Sequence, residues 1–192
     1  QLREAPPSLR GGALVDMEGS ESELISVERT RAVLRIALAL HAEYGFDDVL
    51  AVDGSYENCG REPGGSSATA YGIWSGHCSG GDPSPRGAAI SSGDNYIAEL
   101  AAIDDALSRY GPGQRVLVLT DCQSAVKAIE AVWREGSLDG LQGRTGAQLI
   151  ESVVRARLRI SRGGGHVVFV YTPAHGGGVG PNAYADATAK SH

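Results

Sequence analysis

Val116-Leu117-Val118-Leu119-Thr120-Asp121-Cys122-Gln123-Ser124 sets an apolar run of strand length against a carboxylate and the start of a helical pattern. A second such run, Val49-Leu50-Ala51-Val52, ends in Asp53 and opens Asp53-Gly54-Ser55. Between them Glu99 sits near the start of a helical pattern, in Asn95-Tyr96-Ile97-Ala98-Glu99-Leu100. Asp186 closes Pro181-Asn182-Ala183-Tyr184-Ala185-Asp186, after the loop Thr172-Pro173-Ala174-His175-Gly176. Two acids at strand tips, one on a helix and one on a terminal helix can converge from distant sequence. Converged carboxylates repel unless something neutralises them, and divalent cations are the usual remedy. Singly, each acid is ordinary: Asp53 and Asp121 as strand-end turn formers, Glu99 on a solvated helix face, Asp186 on a helix surface. Their joint order carries the functional reading.

That order is strand-Asp-Gly-Ser, Ala-Glu-Leu on a helix, strand-Thr-Asp-x-Gln-Ser, then Pro-x-His-Gly with Asn-x-x-x-Asp. It resembles ribonuclease H of type 1, including the domains attached to reverse transcriptases, over residues from about 48 to about 190. The resemblance implies an α/β fold of the ribonuclease H type: a mixed five-stranded sheet of order 3-2-1-4-5, its first three strands antiparallel, flanked by helices. It implies an endoribonuclease that cleaves the RNA strand of RNA·DNA hybrids with two Mg²⁺ ions, or Mn²⁺ in their place. Asp53 would bridge both cations, Glu99 and Asp121 would hold one, and Asp186 the other. His175 would assist proton transfer and product release, as a histidine of ordinary pKa can near neutrality. Asn95 and Gln123 would read the minor groove, where amides suit base edges and the 2′-hydroxyl. Backbone amides around Gly54, Ser55 and Cys122 would contribute, Asn182 belongs to the last motif, and Trp133 falls near an aromatic that packs on the DNA strand's sugars. For Trp133 core packing is an equal alternative.

The pattern along the chain is consistent with this. Strands are predicted near 48–53, 68–74, 87–92, 115–120 and 166–171. Helices are predicted over Asn95–Tyr110, ended by Gly111-Pro112-Gly113, then over 122–134 and 147–161, and from 181 onward. Helix 147–161 turns Leu149, Val153, Ala156 and Ile160 inward. Upstream, residues 1–20 read as a linker and 21–47 as a helical extension with Val33, Ala37, Leu40 and Tyr44 on one face, leaving 48–192 as the domain. The 192 residues suit one domain with an appendage.

Composition bounds the rest. No apolar run reaches the roughly 18 residues of a membrane span. The N-terminal Gln1-Leu2-Arg3-Glu4-Ala5-Pro6-Pro7 lacks a signal-peptide layout. An intracellular setting, cytoplasmic or nuclear, is expected, and the start at Gln suggests a piece of a longer chain, with a reverse transcriptase domain as its neighbour. Cys59, Cys78 and Cys122 are odd in number without a Cys-x-x-Cys pair, so they read as reduced thiols rather than a disulfide framework. His77-Cys78 with Cys59 lacks the paired spacing of a zinc site. Net charge is −6: residues 1–47 hold 5 Lys/Arg against 8 Asp/Glu, and residues 48–192 hold 12 against 15. Each part thus carries −3, and two bound Mg²⁺ ions would bring the domain to about +1. Weak, salt-sensitive binding of nucleic acid is expected.

Two departures from the family pattern stand out. Asp94 occupies the position where relatives often place a Thr that helps bind a DNA phosphate. After Trp133 the loop Arg134-Glu135-Gly136-Ser137-Leu138-Asp139-Gly140 lacks a Lys-rich protrusion. Arg155, Arg159 and Arg162 share a helix face and read as solvated or as a phosphate-contacting stripe. The competing reading is a non-catalytic scaffold or nucleic-acid-binding module of the same fold. A proofreading exonuclease would need Asp-x-Glu on the first strand, where Asp53-Gly54-Ser55 has Ser.

Overall fold

A computed structural model describes residues 32, 35, 39–57, 68–75, 86–91, 93–172 and 181–192. The expected linker, Val33 and Ala37, Cys59, His77, Cys78 and His175 lie outside the described residues.

Helix α1 is described over residues 39–44. Strands β1 (Asp48–Glu57), β2 (Ala68–Ser75) and β3 (Arg86–Ile90) precede α2 (Asn95–Ser108). Then come β4 (Arg115–Thr120), α3 (Gln123–Glu135), a 3-10 turn (Asp139–Leu141), α4 (Ala147–Ser161), β5 (His166–Tyr171) and α5 (Pro181–Lys190). The five strands form one sheet of order β3-β2-β1-β4-β5. β1 pairs antiparallel with β2, and β2 with β3, as short connections allow. β4 and β5, each entered through helices, run parallel to β1 and to each other.

Alternation along the central strands builds two cores. Leu50, Val52, Val116 and Val118 face Leu100, Ile103 and Leu107 of α2 and Ile150, Val153 and Ile160 of α4. Val49, Ala51, Leu117 and Leu119 point the other way, where Ala185 of α5 and Phe46 close over them. Leu40 and Tyr44 of α1 pack at the margin of this second core, as two residues of the expected apolar face. Strands buried on both faces read as continuous apolar runs, which is why the motif strands are so recognisable.

Helix ends follow local chemistry. Asp94 caps α2, its carboxylate accepting the Ile97 N–H at 3.0 Å. α2 stops at Ser108, two residues short of the expected Tyr110. Its last carbonyls are met by Arg159 of α4, whose guanidinium donates to Leu107 O at 3.0 Å and to Ser108 O at 3.3 Å, and also to Tyr110 O just beyond the helix. α3 ends at Gly136, which takes a left-handed conformation (φ 66°) and bonds back to Val132 O. The Arg155/Arg159/Arg162 stripe is therefore not a uniform phosphate-facing row. Arg159 is committed to α2, and Arg155 pairs with Glu151 at 2.6 Å.

One boundary matters for the site. β1 does not end at Asp53 but continues to Glu57, paired with β2 through Asp53↔Gly72 to Glu57↔Ala68. On its other side pairing with β4 stops at Ala51↔Leu119. Asp53 thus lies where β1 keeps one neighbour and loses the other, at the carboxyl end of the parallel strands, where open α/β sheets form their crevices.

A candidate carboxylate metal centre

The three acids furthest apart in local context come together. One carboxylate oxygen from each of Asp53, Glu99 and Asp121 lies within 4.8 Å of the other two. Asp53 is 9% exposed and Glu99 only 2%. Gly54 makes this approach physically possible. A Cβ there would stand 2.6 Å from Glu99 N and 2.8 Å from Ala98 Cβ, so only glycine lets α2 lie this close to β1. Its N–H also donates to the Glu99 carboxylate, which favours the charged form. Asp121 is held by its turn: Thr120 Oγ1 accepts the Cys122 N–H at 3.1 Å, and Thr172 N–H bonds Thr120 O at 2.8 Å.

Asp186 is not part of the 4.8 Å group. It hydrogen-bonds Asp53 from the α5 side, and Lys190, one turn further on, closes on it at 2.8 Å. Two features bring α5 this close to the sheet. Ala185 and Ala189 are small and buried, and Gly72 of β2 leaves no side chain under the Ala185 carbonyl.

Crowding is expressed in proton affinity. Burial, then the charges of Asp121 and Asp186, push the Asp53 carboxyl up to about 8. Burial, then Asp121 and Asp53, push Glu99 up to about 9, against the pull of the Gly54 amide. Glu99 Oε2 is buried without any hydrogen-bond partner. A buried acceptor left open in a cluster of like charges is costly, and a hard cation is the group that would satisfy it. The donors present, carboxylates without thiol or imidazole, suit Mg²⁺ or Mn²⁺. Cys122 is beside the cluster but outside it, and burial raises its thiol pKa, keeping it protonated.

The expected substrate contacts fare unevenly. Asn95 is exposed at the start of α2, with its amide unengaged among the described residues. Gln123 opens α3 and accepts from Lys127 Nζ at 3.1 Å, leaving its own NH₂ to donate. Ser55 is half-buried two residues past Asp53. The Gly54 and Cys122 amides, expected toward substrate, are taken internally by Glu99 and Thr120, so both serve the acids instead. Asn182 donates to Thr172 Oγ1 at 2.7 Å and keeps its Oδ1 buried and unpartnered. Trp133 is half-buried with the Arg157 guanidinium 4.3 Å above its ring, and Arg157 pairs with Glu130 at 2.7 Å. One face of Trp133 is thus packed, as the core reading expects, and a contact of its ring with a DNA sugar stays a proposal. Lys190 was not singled out in the sequence, although its i+4 spacing from Asp186 on a helix was a legible signal.

Comparison with known proteins agrees with this fold. The family model for RNase H matches residues 47–192. No curated protein matches the chain. Among solved structures, a foamy viral protease-reverse transcriptase in complex with dsDNA is similar at 16% identity, TM-score 0.56, covering 77% of this chain and 96% of that one. LC9-RNase H1, a type 1 RNase H with the type 2 active-site motif, is similar at 21% identity, TM-score 0.58, covering 75% of this chain and 70% of that one. At such identities these two neighbours speak for the fold. No helix among the described residues is long and apolar enough to cross a membrane.

Proposed function

The chain belongs to the RNase H family and is by that membership a ribonuclease H; on that premise we propose that it hydrolyses the RNA strand of RNA·DNA hybrids at Asp53, Glu99, Asp121 and Asp186, with two divalent cations. The observation that carries the reading is the meeting of three acids from β1, α2 and the end of β4, within 4.8 Å, around a buried and unpartnered Glu99 oxygen. When bound, such a pair of cations supplies an activated water and a stabilised leaving oxygen.

The protein's own part is placement. Asp53 is grouped with Glu99 and Asp121 and hydrogen-bonded to Asp186, so it would be the carboxylate shared by both cations. Glu99 and Asp121 would hold one cation and Asp186 the other. β1, clamped to β2 beyond Asp53, fixes that position without metal. Asn95 and Gln123, at the starts of α2 and α3, offer amides to the minor groove, and the open face of Trp133 lies further along α3 for a sugar. Ser55 and Asn182 flank the acids on β1 and α5. His175, outside the described residues, is proposed as the proton carrier to the leaving oxygen.

We further read the domain as a companion of a reverse transcriptase in a longer chain, working in the cytoplasm or nucleus. The similarity to the foamy viral protein supports this context. A non-catalytic scaffold of the same fold is the alternative, and the retention of all four acids speaks against it.

The test is direct. The purified chain is incubated with labelled RNA·DNA hybrid, duplex RNA and duplex DNA, with Mg²⁺ or with EDTA. Cleavage of the hybrid's RNA strand alone, only with Mg²⁺, is expected. A folded protein inert on every substrate would favour the scaffold.

A further inference from the structure

An open sheet leaves two edges, and here they differ in chemistry. The β3 edge carries the charged Arg86. The β5 edge, His166-Val167-Val168-Phe169-Val170-Tyr171, has no Lys, Arg, acid or Pro, and its register with β4 runs without a bulge. Charge, proline and bulges are the usual means by which an edge strand avoids pairing with another chain. The bonds His166 N to Gln114 O and Thr172 N to Thr120 O, with the alternation between them, turn the amides of His166, Val168, Val170 and Thr172 toward β4. The N–H and C=O groups of Val167, Phe169 and Tyr171 therefore point off the sheet, and among the described residues no strand lies beyond them. The described part of α1 lies over a face of the sheet rather than along this edge, since Leu40 and Tyr44 join the same core as Val168 and Val170. Phe169 stays half-buried and Tyr171 is 45% exposed.

We propose that β5 is a docking edge for a second copy of this chain, the two β5 strands pairing antiparallel into one continuous sheet. What completes such an edge is an extended backbone, and this edge is complementary to itself. A twofold axis beside Phe169 sets Val167 opposite the partner's Tyr171 and Phe169 opposite its own equivalent. Every outward N–H then meets an outward C=O, in the alternation an antiparallel pair requires. The two Phe169 side chains meet at the axis as a cross-strand aromatic pair. No like charges are opposed along the strands. Burial and Arg115 lower the His166 pKa, so that residue is neutral near pH 7. The Arg157 guanidinium, 5.8 Å from the Phe169 ring, is already paired with Glu130 at 2.7 Å. Because the strands run oppositely, the two carboxylate clusters lie at opposite ends of the pair and neither faces the other. The inference is independent of the activity proposed above.

One strand from each copy buries less than the roughly 1,200 Å² of a standard interface, so the dimer should be weak, with a micromolar or higher Kd. Sedimentation of the whole chain from a few micromolar to about 1 mM, without nucleic acid, measures the pairing, and amide exchange by NMR locates it. A monomer–dimer equilibrium is expected. The amides of Val167, Phe169 and Tyr171 should gain protection as the dimer fills, while those of Val168 and Val170, bonded to β4, are protected throughout. Tyr171→Pro removes an outward N–H that β4 does not use, and Tyr171→Lys keeps the main chain and charges the edge. Each should weaken the dimer about tenfold or more, with the urea midpoint near wild type. A chain that stays monomeric over the whole range overturns the proposal. So does a dimer that Tyr171→Lys leaves unweakened, or one in which the three outward amides exchange as they do in the monomer. Full protection of those amides already in the monomer overturns it too, because another segment of the same chain would then occupy the edge.

Discussion

Asp48 and Asp53 lie on the same strand, both buried, and their surroundings are opposite. Asp48, 5% exposed, is fed by donors: Ser75 Oγ at 2.7 Å, Tyr110 OH at 2.6 Å and Val49 N–H at 2.8 Å. Burial and this carboxylate together push the Tyr110 phenol pKa upward, so the hydroxyl stays a donor. Asp53 instead faces acids, with Asp121, Asp186 and Glu99 about it, and among the described residues Lys190 is the positive influence on it. Burial of a carboxylate is therefore not the mark of a reactive centre. Burial without sufficient donors is, because only an ion from outside completes the balance.

The largest effect expected from this contrast is on activity. Asp53→Asn should bring hybrid hydrolysis to background while the urea midpoint stays or rises, since one of several crowded charges is gone. Near-normal cleavage by that variant would remove Asp53 from the centre. Asp48→Ala should do the reverse. Leaving buried hydroxyls without their acceptor costs about 2–4 kcal/mol of stability, with turnover per folded molecule retained. A stable Asp48→Ala protein would show that the donor-rich end is ornamental.

A third effect is on the pH dependence of stability without metal. Folded values of about 8 for Asp53 and about 9 for Glu99 lie above the roughly 4 of an unfolded carboxylate. Between these limits the folded protein binds more protons than the unfolded chain. Stability in EDTA is therefore full below about pH 4 as far as these groups go, and is lost as pH rises toward about 9. Urea unfolding at several pH values should show this decline, flatter in Asp53→Asn and largely abolished by saturating Mg²⁺. A flat wild-type profile would mean that the acids are not crowded in solution.

The smallest effect concerns the exposed Asp94, an acid with a single job as the α2 cap. Asp94→Thr keeps a capping oxygen, so stability should change by only about 0.5 kcal/mol or less. Removing the charge should tighten hybrid binding a few-fold, as read by titration at low salt. Unchanged affinity would place the phosphate path elsewhere.

Much of this was readable before any coordinates. The double-sided burial of β1 and β4 writes itself as Val/Leu runs, and the Gly111-Pro112-Gly113 stop falls where α2 gives out. Strand order was legible only through family resemblance, because periodicity says which face a side chain takes, not which strand lies beside it. Asp53 looked like a strand end because Asp-Gly-Ser is turn chemistry; pairing with β2 overrides that preference. The Cys122 amide meets Thr120 Oγ1 within one turn, a local contact. The fates of the Gly54 amide and of Arg159 were beyond sequence patterns, because each is decided by which distant element lies beside it in space, and no spacing along the chain encodes it.

The docking of α5 has a consequence in time. The helix follows all five strands in the chain, so a nascent polypeptide can complete its sheet, bury both motif strands and gather Asp53, Glu99 and Asp121 before Asp186 has left the ribosome. Such an intermediate would lack the fourth acid and the lid over Gly72. The chain thus supplies the scaffold first and the last proposed ligand afterwards, so that on the proposed reading hydrolysis would wait for α5 to dock.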